Sequence, residues 1–73
     1  MQTWLRDILY LKKVVENPQN ESKHTDCLFN LYDIVENKYE FILKGTDAEI
    51  FGVEMRRLWR RINEIWGKEN EQN

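Results

Sequence analysis

Three neighbouring residues carry groups that could act as a nucleophile, a base or metal ligands: Ser22, His24 and Cys27. A hydroxyl near an imidazole suggests a nucleophile with its base, but no orienting acid or oxyanion donor can be identified beside them. His24 and Cys27 have H-x-x-C spacing, but a structural zinc site needs four ligands and no second pair occurs in the chain. The three glycines are isolated, so there is no glycine-rich phosphate loop. The sequence therefore predicts no enzyme, no metal, no cofactor and no small-molecule substrate.

A second group of chemically active residues is acidic and falls in a narrow sector of a predicted helix. Its members are Asp26, Asp33, Glu36 and Glu40. A charge run of this kind is typical of a solvated face. The alternative is an acidic stripe that meets a basic partner, such as the Arg56 and Arg60 flank of a second copy. Carboxylates along one helix, without facing ligands, are a weak signal for a metal site.

The stretch MRRLWRRINEIW, residues 55–66, combines four arginines with two tryptophans. Because successive helical residues turn by about 100°, the arginines separate onto two flanks of an apolar stripe. Arg57 and Arg61 share one flank with Glu54 and Glu64, each acid three residues from an arginine. Opposite charges at this spacing are in contact on a helix. This flank is therefore predicted to be solvated and self-compensated.

The other flank of the same stretch carries Arg56, Trp59, Arg60 and Asn63, with Gly52 nearby. Only Arg60 has an acid at helical contact spacing there, and that acid is Glu64. Arg and Trp are enriched at hot spots of protein interfaces, which favours a protein partner. One alternative is that the tryptophan merely covers the core while the arginines stack on it. Nucleic acid is a further alternative, although a net charge of −2 disfavours it.

Three apolar segments at helical spacing must position these side chains, and they predict helices over about 3–16, 25–44 and 47–67. The first stripe contains Met1, Trp4, Leu5, Ile8, Leu11 and Val15. The second contains Leu28, Leu31, Val35, Tyr39 and Ile42, widened by Cys27, Ile34 and Phe41. The third contains Phe51, Met55, Leu58, Ile62 and Ile65, with Trp59 and Trp66 on its edge.

The breaks between the helices predict the topology. Asn17-Pro18 ends the first helix, because the residue before a proline disfavours the helical region. Gly45 suits the left-handed position past the second helix, and a short link there forces an antiparallel helix 2–helix 3 hairpin. We therefore predict an all-α three-helix bundle over residues 1–67, with a frayed tail at 68–73.

Several apolar residues lie away from the predicted stripes. They are Tyr10, Val14, Phe29, Ile50 and Val53. A 73-residue domain has a marginal core of its own, and a helix that is apolar on more than one side is usually buried on more than one side. This pattern favours a homodimer or a standing protein partner, with Tyr10 and Val14 among the contacting residues.

The composition narrows the class of protein. The N-terminal run WLRDILYLKK is interrupted by charges and is neither a signal peptide nor a membrane span. One cysteine and no targeting signal indicate a reducing cytoplasm.

The leading hypothesis is a protein-binding module, a regulator or inhibitor that self-associates or docks on a larger protein, of the kind that phages and mobile elements often carry. The runner-up is a nucleic-acid-binding regulator, and the third reading is a structural subunit.

Overall fold

The chain folds into three helices, and the computed structural model describes residues 2–17 and 25–71. Helix α1 spans Thr3–Val15, α2 spans Thr25–Tyr39 and α3 spans Gly45–Glu71. No strand occurs in the described ranges, and each helix packs against the other two. The protein is an all-α three-helix bundle, which confirms the fold predicted from the sequence.

Side-chain contacts between the helices give their directions. The Trp4 ring, early in α1, lies 6.4 Å from the Phe51 ring, early in α3. At the other end, Arg61 of α3 binds Glu16 just after α1, with 3.2 Å between Nε and Oε1. Helices α1 and α3 are therefore parallel. Tyr39, the last residue of α2, contacts Asp7 early in α1 and Phe51 early in α3, so α2 runs antiparallel to both.

Most of the predicted core is confirmed, because the apolar stripes of α1 and α3 face the interior. The buried residues of α1 are Trp4, Ile8, Leu11 and Val15, and those of α3 are Phe51, Met55, Leu58, Ile62 and Ile65. Leu5 is half-buried against this core, and Met1 lies outside the described residues. The α1 helix ends one residue before the predicted position, where the Asn17 N–H donates to the Val14 carbonyl.

The predicted end of the second helix was wrong, because α2 stops at Tyr39 rather than at residue 44. The Tyr39 carbonyl accepts hydrogen bonds from the N–H groups of both Ile42 and Leu43, each at 3.2 Å. This turn carries Leu43 back onto the core and leaves Phe41 and Ile42 exposed, although the sequence pattern placed both on the buried face.

The buried face of α2 is also rotated from the predicted stripe. Thr25 and Tyr32 are buried, whereas Cys27 and Ile34 are exposed. Phe29, which the sequence pattern pointed away from the core, packs against it. Aromatic packing accounts for the rotation, because the rings of Phe29 and Tyr32 both contact a tryptophan of α3.

Helix α3 is longer than predicted at both ends. It begins at Gly45, whose φ of 62° lies in the left-handed region that glycine adopts without strain. It continues to Glu71, beyond the predicted end at residue 67. Fraying of the tail at 68–73 stays a prediction. Within the described ranges, no helix combines the length and apolar character needed to cross a membrane.

Candidate protein-binding surface

The two arginine flanks predicted for α3 differ in the structure as expected. Arg57 pairs with Glu54 at 3.2 Å and Arg61 pairs with Glu64 at 3.4 Å, both at i, i+3 spacing. Arg61 also reaches Glu16 and so ties α3 to the end of α1, a contact that spacing along one helix cannot reveal. This flank is self-compensated, which confirms the prediction.

The opposite flank carries Arg56 and Arg60, and both are exposed. Within residues 2–17 and 25–68, neither guanidinium has a carboxylate within 4.0 Å. Glu64, the acid at contact spacing from Arg60, pairs with Arg61 instead. Both guanidinium groups therefore have free donors, because a guanidinium carries five N–H groups and cannot be deprotonated in a protein.

Trp59 lies between these arginines in sequence and is held by two aromatic side chains of α2. Its ring centroid is 5.2 Å from that of Phe29, at an interplanar angle of 63°. The Tyr32 centroid is 5.1 Å away, at 48°. Yet 45% of Trp59 remains accessible to water. A large side chain that is fixed before binding loses little conformational freedom when a partner covers it. Arg56, Trp59 and Arg60 together are called the arginine–tryptophan surface below.

The other predicted site residues lie in different places. The Asn63 amide donates a 2.8 Å hydrogen bond to the Trp59 carbonyl, four residues earlier in the same helix, and Asn63 remains exposed. Val14 is half-buried against the core and Tyr10 is 62% exposed. Val14 lies two turns from Asp7, on the side of α1 that faces α2. Both Tyr10 and Val14 belong to α1, whereas the arginine–tryptophan surface belongs to α3.

Two hollows lie along the groove between α2 and α3, and sequence reasoning found neither of them. The first, called the Tyr39 hollow, has a volume of about 310 Å³. It is lined by Tyr32, Glu36, Tyr39, Glu40, Leu43, Ala48, Phe51, Gly52, Met55 and Arg56. The second, called the Trp59 hollow, has about 260 Å³ and is lined by Tyr32, Asp33, Glu36, Arg56 and Trp59. Because three residues line both hollows, they form one continuous groove.

Acidic side chains of α2 border this groove on the side opposite Arg56. Asp33 and Glu36 line the Trp59 hollow, and Glu36 and Glu40 line the Tyr39 hollow. Three of the four acidic residues and Arg56 therefore share a groove within one chain, whereas the alternative considered from the sequence had the acidic stripe meet the arginine flank of a second copy. Burial, the hydrogen bond to Glu36 and the charge of nearby acids raise the pKa of the Tyr32 phenol. The phenol is therefore neutral at physiological pH.

Gly52 lines the Tyr39 hollow and explains part of its volume. A Cβ atom built on Gly52 would meet no atom within 4 Å. Close approach of another backbone in the described chain is therefore not the reason for this mid-helix glycine. Its missing side chain leaves the wall of the hollow open.

Of the residues first considered for catalysis or metal binding, only Cys27 lies in the described ranges. Cys27 is exposed, and the part of the chain that the structure describes has no group of three His, Cys, Asp or Glu side chains arranged to hold a metal. Ser22 and His24 lie outside the described residues.

Comparisons with protein-family models, with curated proteins and with solved structures found no match to this chain. The surface itself therefore carries the functional argument. The protein is a small helical bundle, and aromatic and charged side chains line a groove along α2 and α3.

Proposed function

We propose that this protein is a cytoplasmic, non-enzymatic binding module, a regulator or inhibitor that docks on a larger protein through the arginine–tryptophan surface. A phage or other mobile element is the expected source of such a regulator. The environment of the Trp59 side chain supports the proposal. Phe29 and Tyr32 hold the ring in place, but nearly half of the residue is accessible to water. Interface hot spots are enriched in tryptophan and arginine, at positions where water is excluded on binding.

The charges beside Trp59 favour a protein over a nucleic acid as the partner. Arg56 and Arg60 offer two charged forks, which can bind either carboxylates or phosphates. Asp33 and Glu36 border the same groove and would repel a phosphate backbone. Binding to DNA usually depends on many phosphate contacts, about 6–10 for a strongly salt-dependent binder.

The first experiment replaces the charges of this surface and compares the result with a matched pair elsewhere. Arg56→Gln with Arg60→Gln removes two charges without placing new acids beside Glu36. The control, Lys13→Gln with Arg57→Gln, also removes two charges, from exposed side chains outside the arginine–tryptophan surface. Both proteins should keep the circular dichroism spectrum of the parent.

Affinity capture from native cytoplasm, followed by mass spectrometry, then identifies proteins retained by the parent. The surface pair should lose the retained partner, and the control pair should keep it. Trp59→Ala should weaken the same complex by at least about 30-fold, the effect of truncating a hot-spot residue. Equal loss in both pairs, together with a steep fall of binding with salt, would point to nucleic acid instead. Retention by both pairs would contradict the proposal.

A further inference from the structure

The connection between α2 and α3 presents two apolar side chains to water. Phe41 is 83% exposed and Ile42 is 64% exposed, while Leu43 turns inward. Burial of a ring with that much accessible surface would contribute more favourable free energy than burial of any other side chain in the described chain. Lys44 follows directly and is also exposed. The connection therefore combines an exposed ring with a cation three residues later.

The Tyr39 hollow opens beside this connection. Glu40 and Leu43, the residues on either side of Phe41 and Ile42, both line it. Its interior surface is provided by buried side chains, among them Tyr39, Phe51 and Met55. A cavity of about 150 Å³ lined by apolar groups accepts benzene, so a hollow of about 310 Å³ has room for a phenylalanine ring. Phe41 does not fill the hollow of its own chain, since it remains exposed.

We propose that the protein forms a symmetric dimer in which Phe41 of each copy inserts into the Tyr39 hollow of the other. The inserting residue and the receiving hollow are neighbours at one end of the bundle. Two copies related by a two-fold axis near this end can therefore exchange both contacts at once. Such an isologous interface closes on itself and leaves no site open for further copies.

Charge supports a second copy as the occupant. The hollow is bordered by two carboxylates, Glu36 and Glu40, and by one guanidinium, Arg56, so its charged side chains are acidic on balance. Lys44, three residues after Phe41, would bring its ammonium group to these carboxylates when the ring inserts. A partner segment with an apolar ring and a nearby cation fits this hollow, and the chain itself supplies one. This dimer differs from the one expected from Tyr10, Val14, Ile50 and Val53, because it uses none of those residues.

The dimer does not rest on the proposed function. Phe41 lies outside the arginine–tryptophan surface and does not line the Tyr39 hollow of its own chain, whereas Arg56 belongs to both. Phe41→Ala is therefore the variant to use for this comparison. Loss of self-association with retention of a captured partner, or the reverse, separates the two proposals.

Sedimentation equilibrium of the full chain over a concentration series up to about 100 µM tests the dimer, since a Kd near 10 µM leaves about 80% of the chains paired there. The parent should approach twice 9.0 kDa. Phe41→Ala should raise the dimer Kd by at least about 30-fold, as truncation of a hot-spot residue does. Gly52→Leu, which fills the hollow from its wall, should have the same effect. The matched control is Ile34→Ala, an exposed apolar residue outside this hollow, and it should dimerise like the parent.

Mixing the two deficient variants provides the sharper test. The Phe41→Ala chain keeps an open hollow, and the Gly52→Leu chain keeps its phenylalanine. One of the two contacts can therefore re-form, and the mixture should contain a heterodimer that neither variant forms with itself. A monomeric parent at about 100 µM, which sets Kd above that range, would overturn the proposal. Equal dimerisation of the parent and Phe41→Ala would also overturn it, and would assign the association to another surface.

Discussion

Removal of the Tyr39 hydroxyl should weaken the packing of α2 on α1. The Tyr39 hydroxyl donates a hydrogen bond to the Asp7 carboxylate, which Lys38 also contacts at 3.2 Å. Tyr39→Phe removes only the hydroxyl and keeps the ring that lies 5.8 Å from Phe51. Hydrogen bonds to charged groups contribute about 1.5–3 kcal/mol. The Asp7 side chain is 33% exposed, so water can replace the phenol, and we expect a loss near the lower limit, about 1.5 kcal/mol.

The same contact should make stability depend on pH. The Tyr39 hydrogen bond is the largest cause that lowers the pKa of Asp7 below its ordinary 3.8; burial opposes it and Lys38 adds to it. Because the folded pKa is lower than the unfolded one, the stabilisation is present above the unfolded value and is lost as pH falls through the folded value.

Burial and the bond to Asp7 raise the pKa of Tyr39. Stabilisation from that phenol is therefore present below its unfolded pKa and lost as pH rises through the folded one.

Urea denaturation followed by circular dichroism measures this effect. The parent, Asp7→Asn, Tyr39→Phe and the double variant form a cycle whose coupling energy should be about 1–1.5 kcal/mol at pH 7. At about pH 2, below the ordinary pKa of 3.8, the coupling should be smaller, because the carboxyl is increasingly protonated as pH falls. Tyr10→Phe, which alters an exposed tyrosine, is the control and should change stability by less than about 0.5 kcal/mol. A coupling that is the same at both pH values would refute the assignment of the effect to the Asp7 charge.

Five further substitutions test the core, the groove and the ion pairs by the same denaturation assay. Leu58→Ala or Ile62→Ala should each lower the free energy of unfolding by about 2–5 kcal/mol. That loss is a large part of the roughly 4–11 kcal/mol expected for a chain of this length. Parent-like stability of both variants would contradict the observed packing of α3. Gly52→Ala should stabilise the fold by about 1 kcal/mol, because the added methyl meets open space; a loss of stability would mean that the wall is closed. Arg61→Gln should cost up to about 1 kcal/mol and Arg57→Gln less, since only Arg61 bridges two helices; the reverse order would contradict that role.

Helix α3 could be predicted well because its charges leave one apolar face. The residues between its core positions are mostly charged, so one rotation of the helix satisfies the pattern. The same periodicity placed Arg57 beside Glu54, since contacts within a helix depend only on spacing along the chain. The contact of Arg61 with Glu16 depends on the relative placement of two helices, which spacing does not contain.

Helix α2 was harder to predict, because apolar residues surround much of it. Phe41 and Ile42 continue its helical spacing, so the pattern predicted a helix to residue 44. The real end depends on the packing of Leu43 onto the core, which is a tertiary effect. The buried position of Tyr32 depends on Trp59 in the same way.

In the candidate site, too, spacing along one helix was predictable and packing between helices was not. The separation of Arg56 and Arg60 from the paired arginines follows from the helical wheel alone. The two hollows depend on the rotation of α2 against α3, and the sequence pattern misplaced that rotation. The i, i+3 spacing of Phe29 and Tyr32 was the available signal, because residues three apart are neighbours on a helix and aromatic rings gain from contact with other rings.

The left-handed backbone at Gly45 gives this fold a preference for the mirror image of ordinary amino acids at one position. At φ 62°, L-alanine would be strained by about 1–2 kcal/mol, whereas the same angle is the relaxed helical conformation of D-alanine. D-alanine would also restrict the unfolded chain, so it should stabilise the protein by about 0.4–1 kcal/mol relative to glycine. The link between α2 and α3 is thus a point where handedness, rather than size or polarity, decides which residue fits.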